Sequence, residues 1–172
     1  ALGAGEPVRA RRLVWQSTWL AALVGGALTV PVLLAAPLLE AFGIQTEVAA
    51  QARPYILLRA LGLVPQLVFV GMRSYLQGLG RTGPMVVAMI AGNIANVVFT
   101  VLLVFGGAAM PAWTGPLQLL PGLGTAGAAI ATVLCTLLQL GIVLVAIARA
   151  PVPGFTPAMR NPMRADLRQA FR

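Results

Sequence analysis

Four apolar stretches, separated by polar or proline-rich breaks, organise the 172-residue chain. The first runs from about Leu13 to Leu39 and contains Pro31 and Pro37. The second runs from about Pro54 to Leu76, the third from about Pro84 to Gly106, and the fourth from about Leu123 to Ala148. Crossing the hydrocarbon core of a bilayer as a helix takes about 20 residues. Each stretch is long enough, and a helix pairs its own backbone groups, as lipid requires. The pattern predicts an all-α integral membrane protein with four transmembrane helices in one unit, residues 1–150. The tail, residues 151–172, is proline-punctuated and then basic. It reads as a surface segment whose last part, Met163–Arg172, is an amphipathic helix or the run-in to a further helix.

Polar residues inside the apolar stretches carry the next layer of information. In the third, Asn93, Asn96 and Thr100 recur at i, i+3 and i+7, which places them within an arc of about 60° on a helix. An amide without a partner is costly in lipid, so such groups face a bundle interior or a water-filled cavity. The stripe reads as part of a pathway or binding surface, or equally as glue between packed helices. In the second stretch Arg59, Gln66 and Arg73 share one face at seven-residue intervals. The two arginines can anchor the helix by reaching towards opposite interfaces. Gln66 cannot, and is expected to face protein, while Pro65 predicts a kink because it lacks an amide hydrogen. In the fourth, Thr125, Thr132, Thr136 and Gln139 share a face, after a small-residue run Gly124–Ala131 that permits close helix approach. The plainer reading of each threonine is a bond to its own helix's i−4 carbonyl.

Composition narrows the function. Hydrophobic residues make up 59% and charged residues 9%, whereas a soluble domain is about 25% charged. The chain has no histidine, and its only acids are Glu6, Glu40, Glu47 and Asp166. Cys135 stands alone in an apolar span. No nucleophile–base pair, paired carboxylates, haem ligand or zinc ligand set is present, so neither an enzyme nor a metal or cofactor site is expected. The net charge of +8 comes from arginine alone. Because these arginines flank hydrophobic spans, anionic lipid and topology explain them and nucleic acid does not. Arg9, Arg11 and Arg12 precede the first span, Arg81 lies between the second and third with Arg73 at the end of the second, and Arg149 and four more follow the fourth. The loop Gly107–Gly122 is uncharged and carries Trp113, which suits a membrane interface. The positive-inside rule therefore puts both chain ends in the cytoplasm of a plasma-membrane protein.

Several motifs carry a family resemblance. Arg73-Ser-Tyr-Leu-Gln-Gly-Leu-Gly-Arg-Thr82 resembles the close of the fourth helix of multidrug and toxic compound extrusion (MATE) transporters. Asn93-x-x-Asn96 with Leu102-Leu-Val-Phe-Gly106 is similar to the fifth helix of that family. Gly122-Leu-Gly-Thr-Ala-Gly-Ala-Ala-Ile-Ala-Thr132 resembles its sixth-helix opening, and Ala1–Pro7 the cytoplasmic loop after its second helix. The resemblance implies helices three to six of a twelve-helix protein, hence a partial six-helix lobe with 151–172 as the cytoplasmic inter-lobe linker. It further implies export of small cationic or amphipathic compounds, coupled to inward sodium or proton flow, in a cavity completed by helices outside this chain. Asn96 and Thr132 match family positions of an N-lobe cation site, and Asn93, Thr100, Thr136 and Gln66 complete the candidate set. Many members carry an acid where this chain has Thr100, which can supply only a neutral oxygen. Two alternatives are a flippase of lipid-linked polysaccharide or peptidoglycan precursors, which needs cavity cations for pyrophosphate, and a non-transporting four-helix membrane protein.

Overall fold

A computed structural model describes residues 7–109 and 111–150; the expected linker at 151–172 lies outside the described residues. Helix α1 (Pro7–Ala35) opens on a proline, which suits a first helical position because its missing amide hydrogen has no intrahelical role there. It begins ahead of the apolar stretch and takes in Arg9, Arg11 and Arg12. Arginine is a good helix former, so nothing local stops the helix at the expected boundary. Pro31 is accommodated inside α1, and a 3₁₀ turn at Ala36–Leu38 containing Pro37 ends the segment.

The second span is broken in two. Helix α2 (Thr46–Ala60) and helix α3 (Leu63–Gly78) meet at a bend of 44° across Leu61 and Gly62. The break falls one turn before Pro65. That is where a proline acts, because its ring crowds the i−4 carbonyl, here Leu61, and its nitrogen cannot bond to it. Helical structure starts at Thr46, well before the apolar stretch, with Glu47 in the first turn, where a negative charge complements the helix dipole.

Helix α4 (Gly83–Thr100) has Pro84 in its first turn and runs on into a π turn at Val101–Phe105. Gly106, at φ 86°, stops it. The loop beyond, with 3₁₀ turns at Gly107–Ala109 and Ala112–Leu119, folds back so that Gly107 N–H donates to Leu120 O at 2.8 Å. Leu123 N–H then donates to Leu103 O at 2.8 Å and launches helix α5 (Gly124–Ala148). Among the described residues three single helices are thus long and apolar enough to span a bilayer, and the bent pair, taken as one span, makes a fourth.

Helix α5 is the hub: it packs on α4, α2 and α3, while α1 packs chiefly on α3. Its neighbours come close because its first turns are small. A Cβ on Gly127 would overlap the backbone carbonyl of Leu103, so only glycine fits beneath the π turn. The apolar core gathers towards one end of the bundle, where Val14, Phe69, Met72, Leu76, Ala88, Val143 and Ile147 are buried together. Arg11 seals that end. Its guanidinium, 5% exposed, donates through Nη2 to Ile147 O at 2.6 Å and lies 5.9 Å from the Tyr75 ring centre. Ile147 is in the last turn of α5, where carbonyls lack intrahelical partners and the helix dipole favours a cation. Elsewhere large apolar side chains stand open, among them Leu23, Leu34, Ile94 and Val97, each more than 60% exposed. Such faces suit lipid or further helices.

Candidate functional site

On α4 the row at i, i+4 decides which polar groups meet a partner. Ala88 and Gly92 are buried, Asn96 follows on the same row half-buried, and Thr100 lies one turn further, also half-buried. This row is the seam against α5. Gly92 leaves room there for the Gln139 side chain, which a Cβ at that position would overlap. Asn96 faces the Cys135 thiol, with its amide placed to hydrogen-bond it. Asn93 is turned out of the seam and exposed. Neither Asn93 nor Thr100 makes a side-chain hydrogen bond among the described residues.

A second polar contact crosses to the bent span. Thr136, 3% exposed, donates to Gln66 Oε1 at 3.3 Å and shares its proton with Thr132 O at 3.0 Å. Gln66 thus faces protein, in the first turns of α3 just past the bend. Thr132 spends its hydroxyl on Ala128 O at 2.9 Å, the local i−4 bond. Thr125 reaches across to α2 and donates to Gln51 O at 3.1 Å. Cys135 and Thr136 are neighbours in sequence, so their side chains leave α5 about 100° apart. Three of the six candidate residues therefore make two separate polar contacts with α5, Asn96 from α4 to Cys135 and Gln66 from α3 to Thr136, while the side chains of Asn93, Thr100 and Thr132 take no part in either. The six do not converge on one pocket.

Arg59 lies in the last turn of α2, at the bend and thus deep in the second span. Ending a helix there exposes carbonyls in the membrane interior, and a cation complements that end. Its Nη1 is buried against Gly62 without a hydrogen-bond partner among the described residues. Sequence spacing placed Arg59 and Gln66 on one face but could not show that the helix ends between them. Midway along α2, Arg53 pairs with Glu40 at 3.7 Å, an exposed contact of small worth. Among the described residues no three His, Cys, Asp or Glu side chains cluster as a metal site would require.

Four apolar crossings, one of them broken at a proline, with amides and hydroxyls held in their interior, define a polytopic membrane protein. The family model of MatE matches residues 1–102. The chain belongs to the MatE family. It is 33% identical over 152 residues to the probable multidrug resistance protein NorM of Rhizobium meliloti (strain 1021), covering 88% of this chain and 30% of that protein. It is 34% identical over 116 residues to the multidrug resistance protein PmpM of Pseudomonas aeruginosa, covering 66% and 24%. A probable NorM of Streptococcus pneumoniae serotype 4 is 30% identical over 167 residues, covering 96% and 35%. The chain thus spans about a third or less of the length of these relatives. No solved structure matches it.

Proposed function

We propose that this chain forms part of a secondary-active exporter of small amphipathic or cationic compounds, driven by sodium or proton influx. Membership of the MatE family and the multidrug-resistance names of its relatives support transport over enzymatic chemistry. The single observation that carries the reading is Asn93, an exposed amide in an apolar span with no side-chain hydrogen bond among the described residues. An amide facing hydrocarbon is costly, so that face belongs to a further helix or a water-filled path. Asn96 and Thr100, on the adjoining edge of α4, extend the same polar surface towards the α5 seam.

The bend between α2 and α3 supports a moving part. Broken helices are how transporter folds place polar backbone ends and side chains near the bilayer midplane. Here the break falls between Arg59, in the last turn of α2, and Gln66, which pairs with Thr136 from the start of α3. Thr100 offers a neutral oxygen and no group that ionises near neutrality, so this chain contributes hydrogen-bonding oxygens and coupling charge comes from elsewhere in the protein. Both ends of the chain lie on the cytoplasmic side, since Arg9, Arg11, Arg12, Arg81 and Arg149 all sit at one interface.

The test is Asn96→Leu and, separately, Asn93→Leu in the full-length protein. Each is expected to abolish drug resistance and dye efflux while leaving membrane insertion unchanged. Unaltered efflux at equal expression for both variants would remove the α4 stripe from the pathway.

A further inference from the structure

At the arginine-bearing interface, an open groove of about 830 Å³ lies between α4 and α5. Its body is apolar, formed by Pro84, Val87, Leu138 and Gly141 with their neighbours, and two arginines stand on it, Arg81 and Arg149. Arg81 precedes α4 and Arg149 follows α5, so both charges sit at the helix ends, level with lipid headgroups. Both are exposed, and neither makes an ion pair among the described residues. None of the six polar candidates lines this groove.

The charge sign decides what fits. Two guanidinium groups over one groove repel the cationic compounds proposed as cargo. They suit a phosphate, which a guanidinium grips through two parallel N–H donors. The apolar body of the groove suits acyl chains, and its volume is in the upper part of the roughly 300–1,000 Å³ typical of ligand sites. Basic pockets between transmembrane helices at the cytoplasmic face are suited to anionic lipid headgroups. We propose that the α4–α5 groove is a binding site for an anionic phospholipid of the surrounding leaflet, with Arg81 and Arg149 on its phosphate and the chains along Val87 and Leu138. The site is distinct from the polar stripe, and its occupancy does not depend on transport.

The test uses the full-length protein reconstituted in nanodiscs of equimolar phosphatidylcholine and phosphatidylglycerol, then released for native mass spectrometry. The wild type is expected to retain phosphatidylglycerol in preference to phosphatidylcholine. The double variant Arg81→Gln, Arg149→Gln is expected to lose that preference by roughly tenfold or more. Gly141→Leu, which fills the groove without changing charge, is expected to displace the same lipid. Arg9→Gln, which removes a charge at the same interface outside the groove, is expected to change nothing. Unchanged phosphatidylglycerol retention in either groove variant, or equal loss in Arg9→Gln, overturns the proposal. So does a wild type that retains no lipid, since a further helix of the protein would then fill the groove.

Discussion

Gly127 and Gly141 lie on the same helix and make opposite predictions for the same substitution. Replacing either by alanine gains about 1 kcal/mol of helix propensity, the ordinary difference between the two residues inside a helix. At Gly141 nothing stands within 4 Å of the new Cβ, so the gain is unopposed within this chain. At Gly127 the new methyl overlaps Leu103 O, and the Leu103 carbonyl carbon and Val104 N also crowd it. These are backbone atoms of a π turn held by the Leu123-to-Leu103 hydrogen bond, so no side-chain rotation relieves the contact. Forcing a methyl into such packing costs typically about 1–3 kcal/mol, and the upper part of that range applies where backbone must move. The net for Gly127→Ala is a loss of roughly 2 kcal/mol, against a gain of up to about 1 kcal/mol for Gly141→Ala. Thermal unfolding of the purified full-length protein, followed by size-exclusion chromatography after heating, reads the sign of each. A melting temperature for Gly127→Ala equal to or above wild type would refute the close approach of α5 to the π turn.

Arg11→Leu removes a charge-assisted hydrogen bond to Ile147 O, a carbonyl that also accepts from Ala150 N–H, and is expected to cost about 1.5–3 kcal/mol, seen as a lowered melting temperature; Arg11→Lys should recover part of it. Gly92→Ala should be destabilising only while Gln139 is present, because the obstacle is a flexible side chain. In the Gln139→Ala background the same change should be neutral or stabilising, and a thermal double-mutant cycle without coupling would contradict this. The Gln66–Thr136 contact is expected to show a coupling of about 0.6 kcal/mol in a Gln66→Leu, Thr136→Val cycle, the size usual for hydrogen bonds between transmembrane helices. Pro65→Ala should straighten the second span and slow dye efflux more than it alters stability; efflux at the wild-type rate would separate the bend from access switching.

Much of the fold was legible because lipid leaves a chain few choices. Any stretch of about 20 apolar residues must be helical there, so the four spans could be read from hydropathy, and Pro65 announced the bend. The limits of the helices were less legible. Arg9, Arg11, Arg12 and Thr46–Arg53 are polar enough to end an apolar stretch yet compatible with helix, so α1 and α2 run on past it. The π turn and its return loop were invisible, since they depend on Gly106, Gly107 and Gly127 meeting backbone atoms that are distant in sequence or beyond a turn.

The polar positions show most clearly where periodicity stops being informative. Spacing put Asn93, Asn96 and Thr100 on one arc, but an arc of about 60° is wider than a helix–helix seam at its closest point. Which edge is buried depends on the partner, and here the small pair Ala88 and Gly92 draws α5 onto the row of Asn96, leaving Asn93 outside. Cys135 and Thr136 part for the same reason. One helix carries adjacent side chains to two different neighbours, so a polar stripe drawn on α5 alone cannot say whether its members meet. The small residues on the facing helix were the missing signal, and they were in the sequence: Ala88-x-x-x-Gly92-x-x-x-Asn96 is a seam with an amide at its end. A row of that kind places Asn96 against protein and turns Asn93, one residue past Gly92, towards whatever completes the cavity. If the stripe serves transport, the two asparagines should therefore fail differently. Asn96→Leu should lower stability as well as efflux, because it strands Cys135 and crowds the seam. Asn93→Leu should spare stability and affect efflux alone, and a variant at Asn93 that destabilises as much as one at Asn96 would place both residues in helix packing.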